Sequence, residues 1–139
     1  MIQSKIAIGS GQIFGKGWKK GTQNKLQFLP ERHTDFIFSV LSEEYGLMGS
    51  ALTLLLFFLI ISFIFNLAGQ TRDRLNCYFC LAVGSFLLWH VMLNLSMTMG
   101  LFPVVGIPLP LLSYGGSHTI TTMAFLGLAG GIYKNKDLF

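Results

Sequence analysis

The chain has 139 residues, of which 52% are hydrophobic and only 12% charged, with a formal net charge of +4. A soluble domain of this length needs a more heavily charged surface, so the apolar material is meant for lipid. Nucleic acid is excluded as a partner because six of the ten basic residues lie before position 33, scattered among Gly, Gln and Thr, and no nucleic-acid-binding fold has room around them. Anionic lipid, or an anionic lipid-linked substrate, is the better counter-charge.

Residues 1–45 form a polar, glycine-punctuated segment with no h-region and cleavage site in the first 30 positions. Its runs Ile6-Ala-Ile-Gly-Ser-Gly11 and Phe14-Gly-Lys-Gly-Trp18 are too short and interrupted to span a bilayer. The stretch Gln27-Phe-Leu-Pro-Glu-Arg-His-Thr-Asp35 is dense in ionisable groups, and Phe36 to Tyr45 reads as an amphipathic helix that Thr34 or Asp35 could cap.

A first membrane helix is expected over 46–68, because Leu47 to Ala68 contains no charge and about 20 apolar residues rising ~1.5 Å each cross a ~30 Å hydrocarbon core. Residues 69–75, with Arg72, Asp73 and Arg74, make a charged turn. A second span is expected over 76–98. His90 and Asn94, four residues apart, share one of its faces and must turn toward other helices or a wet cavity, as helix-to-helix bonding groups or as ligands. Cys77 and Cys80 lie in the same span. Without a second CxxC or a His pair they read as small packing residues rather than a zinc or redox site.

Residues 99–116 carry Pro103, Pro108 and Pro110 among glycines, which predicts a folded re-entry loop. A third span is expected over 117–133, where Gly127 and Gly131 have the GxxxG spacing that admits a close neighbour, and 134–139 form a polar tail. The expected fold is an all-α integral membrane protein with three transmembrane helices behind an N-terminal loop carrying short helices. Charge counting does not orient it. The 69–75 turn and the tail lie on one side with two basic residues each, against six in the N-terminal loop on the other.

Two long motifs in a fixed order then carry a resemblance. The first is Gly9-Ser-Gly, Phe14-Gly-Lys-Gly-Trp18, Gly21-Thr-Gln23, Phe28-Leu-Pro-Glu-Arg-His-Thr-Asp-Phe-Ile-Phe38 and Glu43-Glu-Tyr-Gly46. The second is Asn94, Met97, Gly100-Leu-Phe-Pro103 and Gly106-Ile-Pro-Leu-Pro-Leu-Leu-Ser-Tyr-Gly-Gly-Ser117. Over nearly its whole length the chain resembles the SEDS family (RodA, the division protein FtsW and their sporulation homologue), with Arg32 closer to the RodA form.

The resemblance implies the last third of a ten-helix fold in the bacterial cytoplasmic membrane, with residues 1–45 and 99–116 outside and residues 69–75 and 134–139 in the cytoplasm. It implies a peptidoglycan glycosyltransferase that polymerises lipid II for cell elongation and rod shape, beside a class B penicillin-binding protein. It places the essential carboxylate at Asp35, a group suited to accept the proton of an attacking sugar hydroxyl. Glu31, Arg32 and His33 would support it, with Arg32 or the loop lysines neutralising the diphosphate. His33 beside Arg and Asp is more often a hydrogen-bond partner than a second acid or base. Ser113, Tyr114, Gly115, Gly116 and Ser117 would line the cavity or form a structural turn. A divalent cation comes as a candidate cofactor with the family alone, since no ligand spacing here specifies a site.

His118 and Gln12 depart from the family pattern, where a small residue and a glycine are usual, and His118 puts the geometry of the Ser113–Ser117 loop in question. The family's first seven helices are not in this sequence, so the isolated chain is expected to be inactive. The alternatives are a non-catalytic membrane module that binds the penicillin-binding partner, and a lipid II flippase.

Overall fold

The computed structural model describes Gly15 and residues 37–103, 106–113 and 116–135. Among these residues the secondary structure is three helices: α1 (Ile37–Gln70), α2 (Arg74–Thr98) and α3 (Gly116–Asn135). The chain is an all-α membrane protein, and its surface is inverted relative to a soluble one. Leu52, Leu55, Phe58, Phe63 and Trp89 are exposed, whereas Ser39, Ser42, Glu43, Asn94, Thr98 and Thr122 are buried. That distribution suits a hydrocarbon solvent, which cannot hydrogen-bond a polar group turned toward it.

The amphipathic helix expected before Tyr45 and the first span join in α1 as one 34-residue element, bent at Gly46 (φ 66°, ψ −158°). This backbone region is essentially restricted to glycine. Beyond the bend, Leu47 to Gln70 rise about 36 Å, enough to cross the ~30 Å apolar layer, while the segment before it is left to serve another purpose. By length and apolar character α1 and α2 are both able to span. The 20-residue α3, rich in Gly, Ser and Thr, does not reach the same apolar content, although a third span was expected there.

The α1–α2 connection is short because both ends are well terminated. Thr71 donates its backbone N–H (3.1 Å) and its hydroxyl (2.7 Å) to Leu67 O. The Asp73 side chain accepts the Leu75 N–H at 3.3 Å as the N-cap of α2. At the far end, Gly100 N–H donates to Met97 O (3.0 Å) and Leu101 N–H to Ser96 O (2.8 Å), the paired bonds of a Schellman ending.

α1 and α2 pack along each other, and α3 meets α2. One apolar cluster joins Ile64, Leu67 and Ala68 of α1 to Cys80, Val83 and Leu87 of α2. Cys80 is fully buried there and Cys77 packs at the edge. Gly84 lets the Phe65 ring lie against α2, since a Cβ at that position would come within 3.2 Å of it. α3 is held to α2 by edge-to-face rings, with Phe125 at 6.3 Å from Phe79 and 5.9 Å from Phe86.

Candidate active site

The segment of α1 before the bend turns its polar face inward. Ser39, Ser42 and Glu43 are at most 3% exposed, and with Phe38 they occupy positions i, i+1, i+4 and i+5, one side of the helix. A carboxyl group at that depth is tolerated only with a partner, and Glu43 is engaged. The bend is laced by hydroxyls. Ser50 Oγ donates to Gly46 O at 2.8 Å, so the 2.8 Å contact between Ser42 Oγ and Ser50 Oγ uses the Ser42 proton. Thr53 Oγ1 donates to Gly49 O at 2.8 Å. The Ser50 and Thr53 bonds both run from a hydroxyl to the carbonyl four residues earlier, within the same element just beyond the bend.

Gly15 lies against this bend from the N-terminal segment. A Cβ built on it would fall on the Glu44 carbonyl and 2.7 Å from Gly46 N, and its φ of +73° is itself in the left-handed region. Gly15 therefore meets the Glu43-Glu-Tyr-Gly46 bend at a backbone-to-backbone contact that only a residue without a side chain permits.

The Pro-rich loop closes the other side. Leu109 packs with Phe38 and Phe57 of α1 and Val91 of α2 in a second apolar cluster, to which Ile37, Leu54, Leu95 and Leu111 add. The loop is anchored by Asn94, fully buried, whose Nδ2 donates to Ile107 O at 2.8 Å. Of the two roles open to Asn94 in the sequence, the structure shows this one, directed at a loop rather than a helix. Leu111 has φ +67°, an unfavourable left-handed conformation costing ~1–2 kcal/mol for a residue with a Cβ, maintained between the cluster contacts on either side.

Of the residues singled out from the sequence, Ser113 is buried and its N–H donates to Leu109 O at 3.0 Å. Gly116 and Ser117 are exposed at the start of α3, where Ser117 O accepts from Thr121 Oγ1 at 2.8 Å. Asp35, Glu31, Arg32, His33, Tyr114 and Gly115 lie outside the described residues. Ser39, Ser42 and Glu43 were not singled out as site residues. Their signal was available in a helix expected to be amphipathic whose polar residues recur every three or four positions.

His118, the departure from the family pattern, lies within α3. Its ring stacks on His90 of α2 at 5.4 Å and 25°, with Phe86 4.1 Å from His90. A carbonyl can only accept, so His90 donates from Nδ1 to Phe86 O at 3.0 Å. His118 thereby adds a contact between α2 and α3. Among the described residues no group of three or more His, Cys, Asp or Glu could hold a metal ion.

Family comparison decides the assignment. The family model for the FtsW, RodA and SpoVE cell cycle proteins matches residues 1–137. The chain belongs to this family. It is 46% identical over 138 residues to the Escherichia coli peptidoglycan glycosyltransferase MrdB, covering 99% of this chain and 37% of that protein. It is 44% identical to the Treponema pallidum peptidoglycan glycosyltransferase RodA over 92% of this chain and 30% of that protein. The chain thus spans about a third of the length of the curated relatives it matches.

Two solved structures have the same fold. A chain of a peptidoglycan synthase complex that coordinates polymerization and crosslinking superposes with a TM-score of 0.77 at 32% identity, over 96% of this chain and 36% of that one. A mutant of the Thermus thermophilus rod shape determining protein RodA superposes at 0.73 with 33% identity, over 97% and 40%. The match over residues 1–137 includes both motifs.

Proposed function

We propose that this chain is the C-terminal part of a peptidoglycan glycosyltransferase of the bacterial cytoplasmic membrane, which polymerises lipid II for cell elongation. The reading is carried by the juxtaposition of its two motifs. Phe38 of the first motif packs with Leu109 of the second in one apolar cluster, on the segment of α1 that buries Ser39, Ser42 and Glu43 and ends at the Gly46 bend beside Gly15. Asp35 precedes the first described residue of α1 by two positions, at the head of the segment that carries this polar face.

In this reading the Asp35 carboxylate accepts the proton of a sugar hydroxyl as its oxygen bonds to the anomeric carbon of the growing or incoming lipid-linked sugar. The bond from that carbon to the diphosphate breaks, and the electron pair leaves with the diphosphate. General-base assistance of this kind contributes about 10²–10⁴-fold. Arg32 neutralises the departing diphosphate, while Glu31, His33 and the Ser113–Ser117 hydroxyls and N–H groups position the sugars. A class B penicillin-binding protein takes the product strand for crosslinking. The chain matches 37% of the length of its Escherichia coli relative, so the reading is of one part of the polymerising enzyme.

The test is glycan-strand synthesis from purified lipid II by the chain co-expressed with the preceding seven-helix portion of a relative. Asp35→Asn is expected to lower the rate by about 10²–10⁴-fold with the protein still inserted and folded. Polymerisation within threefold of the parent by Asp35→Asn would sink the assignment of that residue. Lipid II translocation without polymerisation would replace the enzyme reading with a flippase.

A further inference from the structure

The Pro-rich loop is fastened to α2 at two points one helical turn apart. His90 and Asn94 are four residues apart, so they share a face of α2 and stand ~6 Å from each other along its axis. Asn94 Nδ2 donates to Ile107 O at 2.8 Å, early in the loop. His90 meets the His118 ring at 5.4 Å, just past the end of the loop. The chain from Ile107 to His118 thus leaves one face of α2 and returns to it.

His90 is a fixed post. Its Nδ1–H is committed to Phe86 O at 3.0 Å, and the Phe86 ring backs it at 4.1 Å. Phe86 also stands 6.3 Å from His118 and 5.9 Å from Phe125, so two rings of α2 and two of α3 form one contact. His118 Nε2 is buried and makes no hydrogen bond, so packing rather than a polar partner holds this ring.

The two residues that lead into α3 hold nothing. Gly116 and Ser117 are both exposed, and a Cβ at Gly116 would meet nothing within 4 Å. His118 is therefore the first ring of α3 to meet α2, and the next, Phe125, comes about two turns later. Thr122 Oγ1 donates to His118 O at 2.8 Å, which ties His118 to the following turn. Between the two fastenings the loop is strained. Leu111 has φ +67°, a conformation that side chains with a Cβ disfavour, and the buried Ser113 donates its N–H to Leu109 O at 3.0 Å. A strained loop relaxes when one end is freed, and Ser113 and Ser117 then move with it.

We propose that His118 is a positioning residue of the glycan-polymerising site. Packed on His90, it fixes the trailing end of the Pro-rich loop and hence the places of Ser113 and Ser117. The inference rests on the glycan-polymerising reading of that loop, and His118 acts through the loop rather than by touching the sugars.

The chain co-expressed with the preceding seven-helix portion of a relative is assayed over a range of lipid II concentrations. His118→Ala is expected to raise KM about fivefold or more with kcat within about twofold of the parent, because a displaced loop loses binding shared by ground and transition states. A role in folding alone would lower the active fraction, and so the apparent kcat, at unchanged KM. His118→Phe, which keeps a ring on His90, should return KM to within about twofold of the parent. His90→Ala should raise KM as His118→Ala does, and the double variant no further, as expected of one shared contact. In the full chain in micelles, amide exchange at Ser113 should quicken in His118→Ala while the α2 amides keep their rates. A parent enzyme that does not polymerise overturns the glycan reading and this inference with it. An active parent with unchanged KM in His118→Ala, or a KM in His118→Phe as high as in His118→Ala, overturns the inference alone.

Discussion

Replacing Gly15 by alanine tests whether the N-terminal motif is seated on the α1 bend. Two costs coincide. The left-handed φ of +73° is unfavourable by ~1–2 kcal/mol once a Cβ is present. The new methyl would also be driven onto the Glu44 carbonyl and 2.7 Å from Gly46 N. Both are backbone atoms of a bent helix and unable to rotate away, and overpacking of that kind costs a further ~1–3 kcal/mol. The sum, ~2–5 kcal/mol, is large for one methyl group. Reversible unfolding in mixed micelles, followed by Trp fluorescence and helicity, reads it directly. Gly127→Ala is the matched control, because its Cβ meets nothing within 4 Å, and helix propensity alone predicts a change of no more than ~1 kcal/mol in the favourable direction. A Gly15→Ala protein within 0.5 kcal/mol of the parent, the range of an ordinary surface substitution, would refute the contact of Gly15 with the α1 bend.

Asn94→Leu removes the 2.8 Å bond that anchors the Pro-rich loop at Ile107. A loss of ~1–2 kcal/mol is expected, with faster amide exchange confined to residues 106–113; unchanged exchange there would argue against an anchoring role. His118→Phe should keep the α2–α3 packing because the ring still stacks on His90, whereas His118→Ala should cost ~0.5–1.5 kcal/mol, read by the same unfolding transition. Maleimide should label the half-buried Cys77 in the native protein well before the buried Cys80, and reductant should leave stability unchanged; equal labelling would contradict the packing role assigned to Cys80.

The sequence by itself determined the class, the helices and the family. An uncharged run from Leu47 to Ala68 is long and apolar enough to cross the hydrocarbon layer as one helix. The Phe14–Trp18, Glu31–Asp35 and Gly106–Ser117 motifs are long enough to mark the family without coordinates. Helix punctuation was legible too, since Asp73 and Gly100 stop and start elements through bonds within a few residues of themselves.

Contacts between distant parts of the chain were not legible, and these decide the site. Nothing local in Gly15 or Gly46 says that one backbone lies against the other, a relation that depends on two segments thirty-one positions apart in sequence. His118 read as a disturbance of its loop; only the approach of α2 to α3 turns it into a stacking partner for His90. The amphipathic pattern of Phe36 to Tyr45 likewise does not say which way Ser39, Ser42 and Glu43 turn. In a bilayer protein the polar face is the one that must find partners inside, and packing of the Pro-rich loop over Phe38 and Phe57 decides that the inside is here.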